Sequence, residues 1–151
     1  MFEKCVNKFF VVSILIIATL LPVVAQQLPQ YPKMSNQAAD DMAGTWTFYI
    51  AQTLLVQSYS EKFPTLSEDL KMAQILFDAK FADSISNIDK ILTIENRPWK
   101  STKQKIFQRI EGAVIVQKQQ ATYAQAKALI EEIRKKTEGK IPSPYLETLL
   151  F

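Results

Sequence analysis

Apolar residues recur at every third or fourth position along most of this chain. That spacing places side chains on one face of an α-helix, whereas a β-strand would need apolar and polar residues to alternate. Four such stripes follow one another, two of them with one polar member: Met42, Trp46, Tyr49, Ile50, Thr53 and Leu54; Leu66, Leu70, Ala73, Phe77, Phe81, Ile88 and Ile91; Trp99, Ile106, Phe107, Ile110, Val114 and Gln117; and Tyr123, Ala126, Leu129, Ile130 and Ile133. The pattern predicts an all-α fold, a helical bundle of about four main helices.

Capping residues predict where two of these helices begin. Thr65 with Glu68, and Thr122 with Gln125, have the spacing of a capping box, in which each side chain bonds the backbone N–H of the other residue. Gly139 follows a basic last turn and is expected to end the fourth helix, because glycine adopts the left-handed conformation without steric cost.

The first helix, predicted to begin at Ser35 or Asn36 and to end near Ser60, is apolar around more than one face. A second row of large apolar side chains lies beside its main stripe: Phe48, Leu55 and Tyr59. A stripe this wide indicates either that both sides of the helix are buried or that one side binds a partner. We interpret this second row as one part of a candidate interaction surface.

The end of the sequence is apolar as well. Ser143 and Pro144 have the cap and first-position residues of a short fifth, C-terminal helix. The apolar residues that follow complete the candidate interaction surface: Tyr145, Leu149, Leu150 and Phe151. We expect this cluster either to pack into a groove of the bundle or to bind another molecule.

Residues 1–25 have the composition of a secretory signal peptide. Two lysines precede an apolar run, Phe9–Val24, and Val23 and Ala25 provide the small residues of a cleavage site. An uncleaved membrane anchor is the alternative, but a spanning helix needs about 20 apolar residues, and Pro22 interrupts this run. We therefore predict cleavage after Ala25 and a periplasmic or secreted protein.

The rest of the chain divides into a short linker and one domain. Residues 26–34 contain two prolines and three glutamines, which favour an extended segment. Residues 35–151 are long enough for a single helical domain with its own core. Cleavage would remove Cys5, the one cysteine of the sequence, so we expect no disulfide in that domain.

The composition argues against an enzyme and against a bound cofactor or metal. The chain has no histidine, which removes the usual general base and the commonest metal ligand. Its three glycines are too widely spaced for a phosphate-binding loop. Adjacent carboxylates such as Asp40 and Asp41 lie at helix starts, where the helix dipole favours them, so a glycosidase is the weakest alternative. We expect no catalytic residue.

Charge is unevenly distributed between the two halves of the chain. Residues 26–96 contain five basic and nine acidic residues, a net charge of −4, whereas residues 97–151 contain eleven and five, a net charge of +6. The halves either neutralise each other by packing or present a basic face to an acidic partner. The basic residues of the third helix predict a solvated face and no nucleic-acid partner, because the neighbouring aromatic residues fall on the expected core face.

The segment Gly139–Leu150 resembles one found in uncharacterised exported bacterial proteins, and Phe63–Leu66 is similar to a segment of the same group. The resemblance implies a helical N-terminal region that leads into a further, β-containing domain, and it implies no activity. Because the sequence ends at Phe151, before any such domain, we expect a helical adaptor module or a truncated relative.

Together these patterns predict an exported, non-enzymatic helical protein that acts as a protein-interaction or adaptor module. The expected partner is another envelope or secreted protein, or a second copy of the chain, with membrane contact only if the leader is uncleaved. An envelope inhibitor or immunity protein is a special case of this class. The alternative is a carrier that encloses a small apolar ligand or lipid between Trp46, Phe77, Phe81 and Phe107.

Overall fold

The computed structural model describes residues 35–95 and 98–142, and all regular secondary structure within these ranges is helical. The elements are helix α1, Asn36–Lys62; a 3-10 helical turn, Pro64–Leu66; and helices α2, Ser67–Glu95, α3, Trp99–Gln120, and α4, Tyr123–Thr137. The predicted all-α fold with four main helices is confirmed. The predicted signal peptide, linker and short fifth helix lie outside the described residues.

Hydrogen bonds and backbone geometry at the helix ends match three of the sequence signals. The Ser35 hydroxyl accepts a hydrogen bond from the Ala38 backbone N–H at 3.2 Å and caps α1. At the start of α4, the Gln125 N–H donates to Thr122 Oγ1 at 3.3 Å, and the Thr122 N–H donates to Gln125 Oε1 at 2.7 Å, which completes the predicted capping box. Gly139, with a φ of 73°, follows α4 in the left-handed conformation expected of it.

The connection between α1 and α2 differs from the sequence prediction. The Phe63 N–H donates to the Tyr59 carbonyl at 2.8 Å, so helical hydrogen bonding in α1 continues past the expected end. Pro64 then opens the 3-10 turn that precedes α2. Thr65 therefore lies inside this turn instead of capping α2, because proline favours the first position of a helical turn.

Helices α1 and α2 form an antiparallel hairpin at the centre of the bundle. In the middle of the hairpin, Gln52 Nε2 donates to Gln74 Oε1 at 3.0 Å. Closer to its open end, the rings of Tyr49 and Phe77 stack with their centroids 6.5 Å apart. Earlier residues of α1 thus face later residues of α2.

Helix α3 packs mainly against α1 and makes little contact with α2. Trp46 lies in the first half of α1, and Trp99 is the first residue of α3. Their rings meet edge to face, with the centroids 5.4 Å apart. Near the ends of both helices, Gln117 Nε2 donates to the Tyr59 hydroxyl at 3.2 Å. The two helices therefore run parallel. Because α1 packs against both α2 and α3, it has apolar side chains on two of its sides, which explains the width of its stripe.

Helix α4 packs mainly against α2, and much less against α3, its predecessor in the chain. The rings of Phe63 and Tyr123 meet edge to face at 6.0 Å beside the start of α2. Farther along, Lys80 Nζ donates to the Thr137 carbonyl at 2.8 Å. Helix α4 therefore runs parallel to α2, and the packing order across the bundle is α3, α1, α2, α4.

The predicted stripes supply most of the core, whose largest fully buried apolar side chains are Trp99, Phe77, Phe81, Leu70, Ile88, Leu92 and Ile133. Two aromatic residues predicted to be in the core are largely exposed instead: Phe107 at 39% and Tyr123 at 45%. One residue corresponds to about 100° of helix rotation. Because Ile106 faces the core, Phe107 next to it points away from the core. Tyr123 is the first residue of α4 and lies at the edge of the core.

Candidate interaction site

The residues of α1 that were predicted to form an interaction surface are buried or half-buried in the bundle. Leu55 and Tyr59 are buried, with 8% and 3% of their surfaces exposed. Phe48 is half-buried, and Lys136 Nζ of α4 lies 4.1 Å from the centroid of its ring. The second apolar row of α1 thus packs against other parts of the same chain. The remaining members of the predicted surface lie outside the described residues: Tyr145, Leu149, Leu150 and Phe151.

The aromatic residues considered for a carrier pocket do not line one common cavity. The rings of Phe77 and Phe81 are packed with their centroids 4.7 Å apart, and Trp46 packs on Trp99. Phe107 lies on the outer side of α3. Within the described residues, the four side chains are therefore not gathered around one pocket as the carrier hypothesis expects.

A different apolar surface is open on α2. Met72, Ile75 and Leu76 are 48%, 58% and 50% exposed. Residues three and four positions apart share one side of a helix, so these three side chains adjoin one another. We call this stripe the α2 outer face. Adjoining exposed apolar side chains indicate a binding surface more strongly than scattered ones do.

A groove lies beside the α2 outer face, between the second half of α1 and the first half of α2. Its volume is about 480 Å³, which is within the usual range for ligand sites. The lining residues are Thr53, Val56, Gln57, Ser60 and Glu61 of α1 and Ser67, Lys71, Gln74 and Ile75 of α2. Since α3 and α4 supply none of them, the groove is a side of the central hairpin that no other described helix covers. Ile75 belongs to both the groove and the α2 outer face, so the two form one surface.

A row of polar side chains fixes the register of the two helices that form the groove. Gln52 donates to Gln74, and Gln74 Nε2 donates to Asp78 Oδ1 at 2.8 Å. Burial raises the pKa of Tyr49 above its ordinary value, and the charge of Asp78 and a hydrogen bond to it raise this pKa further. Tyr49 therefore remains protonated at neutral pH. A sliding movement of α1 along α2 would break this row of bonds, so the shape of the groove is set by the fold.

Ser60, one of the residues that line the groove, has a buried polar atom without a partner in the described part of the chain. Ser60 is 7% exposed, and its Oγ has no hydrogen-bond partner within the described residues. This oxygen is itself buried, so it does not offer a hydrogen bond to a ligand in the groove. At the rim, Glu61 is paired with Lys118, whereas Lys71 has no ion pair in the described part of the chain.

Exposed apolar residues also occur on α3, but none of them lines the groove. Phe107, Ile115 and Val116 are 39%, 55% and 53% exposed. Charged residues, Arg109 and Glu111, lie between Phe107 and the other two along the helix. The α2 outer face with its adjoining groove is therefore the stronger candidate for a binding site.

Met72, Ile75 and Leu76 were not predicted as site residues from the sequence. Their spacing forms a second apolar row beside the core stripe of α2, and that row was a usable signal. The same signal on α1 marks residues that pack against other helices of the chain, Tyr59 against α3 and Phe48 against α4. A second apolar row therefore indicates either a neighbouring helix or an open surface, and the packing of the other helices decides which.

In the part of the chain that the structure describes, no helix combines the length and apolar character needed to cross a bilayer. Within the same residues, no group of three or more acidic, histidine or cysteine side chains is arranged to hold a metal ion. Comparison of the chain with protein-family models, curated proteins and solved structures found no match.

Proposed function

We propose that this domain is a non-enzymatic protein-interaction module that binds its partner through the α2 outer face and the adjoining groove. The observation that carries the proposal is the exposure of Met72, Ile75 and Leu76 beside a groove of about 480 Å³. Covering such side chains contributes about 25 cal/mol for each Å² of apolar surface removed from water. An apolar segment of another protein is the ligand that gains most from this surface.

A polar group of the groove would orient that segment. The Lys71 ammonium, which lines the groove, donates hydrogen bonds. A carbonyl or carboxylate oxygen of the partner is the natural acceptor for them. The signal-peptide pattern of residues 1–25 supports the further proposal that the protein is exported and that its partner is another envelope or secreted protein.

The proposal is tested by site-specific photo-crosslinking in the cells that make the protein. A benzophenone amino acid replaces Ile75 in the full chain, and the matched control replaces Ile115, which has nearly the same exposure, 55% against 58%. We expect a discrete protein adduct from the Ile75 position and not from the Ile115 position. The adduct should disappear when Leu76→Glu is added, because a charge on the α2 outer face opposes apolar contact. Equal adducts from both positions, or none from the Ile75 position, would contradict the proposal.

A carrier of a small apolar ligand is the second candidate, favoured by the volume of the groove. Native mass spectrometry of the protein isolated from its own cells distinguishes this class. A carrier would retain a discrete small-molecule mass that is lost in Thr53→Trp, which places an indole ring in the groove. A protein that carries no such mass is not a carrier of this kind.

A further inference from the structure

The α2 outer face lies beside helix α4. Asp69, Met72 and Leu76 are separated by three and four residues and therefore share one side of α2. Asp69 Oδ1 accepts a hydrogen bond from Arg134 Nη2 of α4 at 3.0 Å. The side of α2 that carries Met72 and Leu76 thus borders the last turns of α4.

The chain turns back on itself where α4 ends. The Lys140 N–H and the Ile141 N–H both donate to the Lys135 carbonyl, at 2.8 Å and 3.4 Å. Gly139, which precedes these two residues, has the left-handed backbone conformation. An ending of this type reverses the chain over the last helical turn. Ile141 is half-buried, so the reversed chain stays against the bundle.

The distance from this turn to the α2 outer face is within reach of the residues that follow. Helix α4 runs parallel to α2, and the Thr137 carbonyl is bonded by Lys80. From the level of Lys80 to that of Met72 is about 12 Å along a helix. Residues 143–151 span about 13 Å as a helix and up to about 30 Å when extended. In either conformation the segment is long enough to cover this distance along the axis of α2.

The apolar spacing of this segment suits the surface that it would cover. Tyr145 and Leu149 are four residues apart, and so are Met72 and Leu76 on α2. Leu146 and Leu150 repeat the same spacing in the segment. Rows of residues four apart form the ridges with which helices pack on one another.

We propose that the segment Ser143–Phe151 docks within its own chain on the α2 outer face and competes there with the partner. The covered face would then be released when a partner of higher affinity displaces the segment. The competition rests on the proposed function, whereas the docking does not and is measured separately.

The docking is tested with engineered cysteines in the full chain, in which Cys5→Ser removes the natural thiol. Leu76→Cys is combined with Leu149→Cys and treated with a short bismaleimide. The matched control combines Ile115→Cys, on the exposed side of α3, with the same Leu149→Cys. A docked segment has a far higher effective concentration at Leu76 than a free tether has, so we expect about tenfold more cross-linked monomer from the Leu76 pair. Intact mass and peptide mapping identify the product.

A second measurement uses Leu76→Cys alone, whose half-exposed side chain makes the substitution compatible with folding. Replacing Leu149 and Leu150 by aspartate should raise the labelling rate of the cysteine at position 76 several-fold and leave that of a cysteine at Ile115 unchanged. Similar cross-linking in both pairs, or cross-linked dimer in place of monomer, would overturn docking within the chain. If docking fails while the Ile75 photo-crosslink persists, the proposed function stands without this inference.

Discussion

Phe77 and Phe107 have the same side chain in opposite settings. Phe77 is 0% exposed and packs against Tyr49 and Phe81, whereas Phe107 is 39% exposed on α3. We expect Phe77→Ala to lower the free energy of unfolding by about 3–5 kcal/mol, because it leaves a cavity in the core. Phe107→Ala should cost about 1 kcal/mol or less, as is usual for surface changes. Urea denaturation followed by circular dichroism measures both, and equal losses would show that Phe107 is a core residue.

For single residues, the apolar spacing identifies much of the core. Leu70, Phe77 and Phe81 fall on the predicted stripe and are fully buried. The spacing fails where two neighbouring residues are both large and apolar, as at Ile106 and Phe107. A stripe defines the rotation of a helix only to within about one residue, and contact with the neighbouring helix decides between the two.

Gly112 and Gly139 have opposite effects on helix stability. Gly112 lies in α3 with no atom near the position of an added Cβ, whereas Gly139 ends α4 with a φ of 73°. Gly112→Ala should stabilise the protein by about 0.5–1 kcal/mol, because alanine loses less conformational entropy in a helix. Gly139→Ala should destabilise it by about 1 kcal/mol, because a side chain strains the left-handed backbone. Thermal denaturation of both variants checks the opposite signs, and a loss of stability in both would contradict this account of α3.

Asp89 joins the end of α2 to the start of α3. Its Oδ1 accepts from Trp99 Nε1 at 2.8 Å, and both of its oxygens accept from Lys103 Nζ at 2.9 Å and 3.0 Å. Burial raises the pKa of this carboxyl, but the hydrogen bonds from Lys103 and Trp99 and the charge of Lys103 outweigh it. The net pKa lies below the ordinary value of 3.8.

Stability should therefore depend on the ionisation of Asp89. The folded-state pKa is below the unfolded value, so the stabilisation is present above pH 3.8 and is lost as pH falls through the folded-state pKa. We expect Asp89→Asn to reduce the free energy of unfolding near neutral pH. In acid, we expect this reduction to be smaller. Asp83→Asn, at an exposed position of the same helix, is the control. A pH-independent effect of Asp89→Asn would rule out the carboxylate as its source.

At the scale of whole helices, local sequence signals predict where a helix begins and ends better than they predict which helices pack against it. The caps at Ser35 and Thr122 and the stop at Gly139 depend on atoms within a few residues, and the structure has all three. The start of α2 was misplaced because Pro64 competes with Thr65 for the first turn. The packing of α4 mainly on α2, and much less on α3, depends on contacts between distant parts of the chain, which the spacing of apolar residues does not specify.

For the whole molecule, the position of α1 determines which surfaces remain open. Because α1 packs against both α2 and α3, the apolar row with Leu55 and Tyr59 is buried. The outer side of α2 has no such cover among the described residues, so Met72, Ile75 and Leu76 are exposed. The sequence contains both rows, but the difference between core and candidate site comes from the packing order of the helices.

The same packing order predicts how the bundle opens. Helix α1 contacts two long helices, whereas α4 is the shortest of the four and packs mainly on α2. Exposing the amides in the middle of α1 requires separation from both neighbours, but α4 can detach from α2 alone. Hydrogen exchange measured by mass spectrometry at increasing denaturant should show α1 exchanging only by global unfolding and α4 exchanging by an opening of lower free energy. Equal protection in the middle of both helices would mean that α4 is part of the same cooperative unit as the central hairpin.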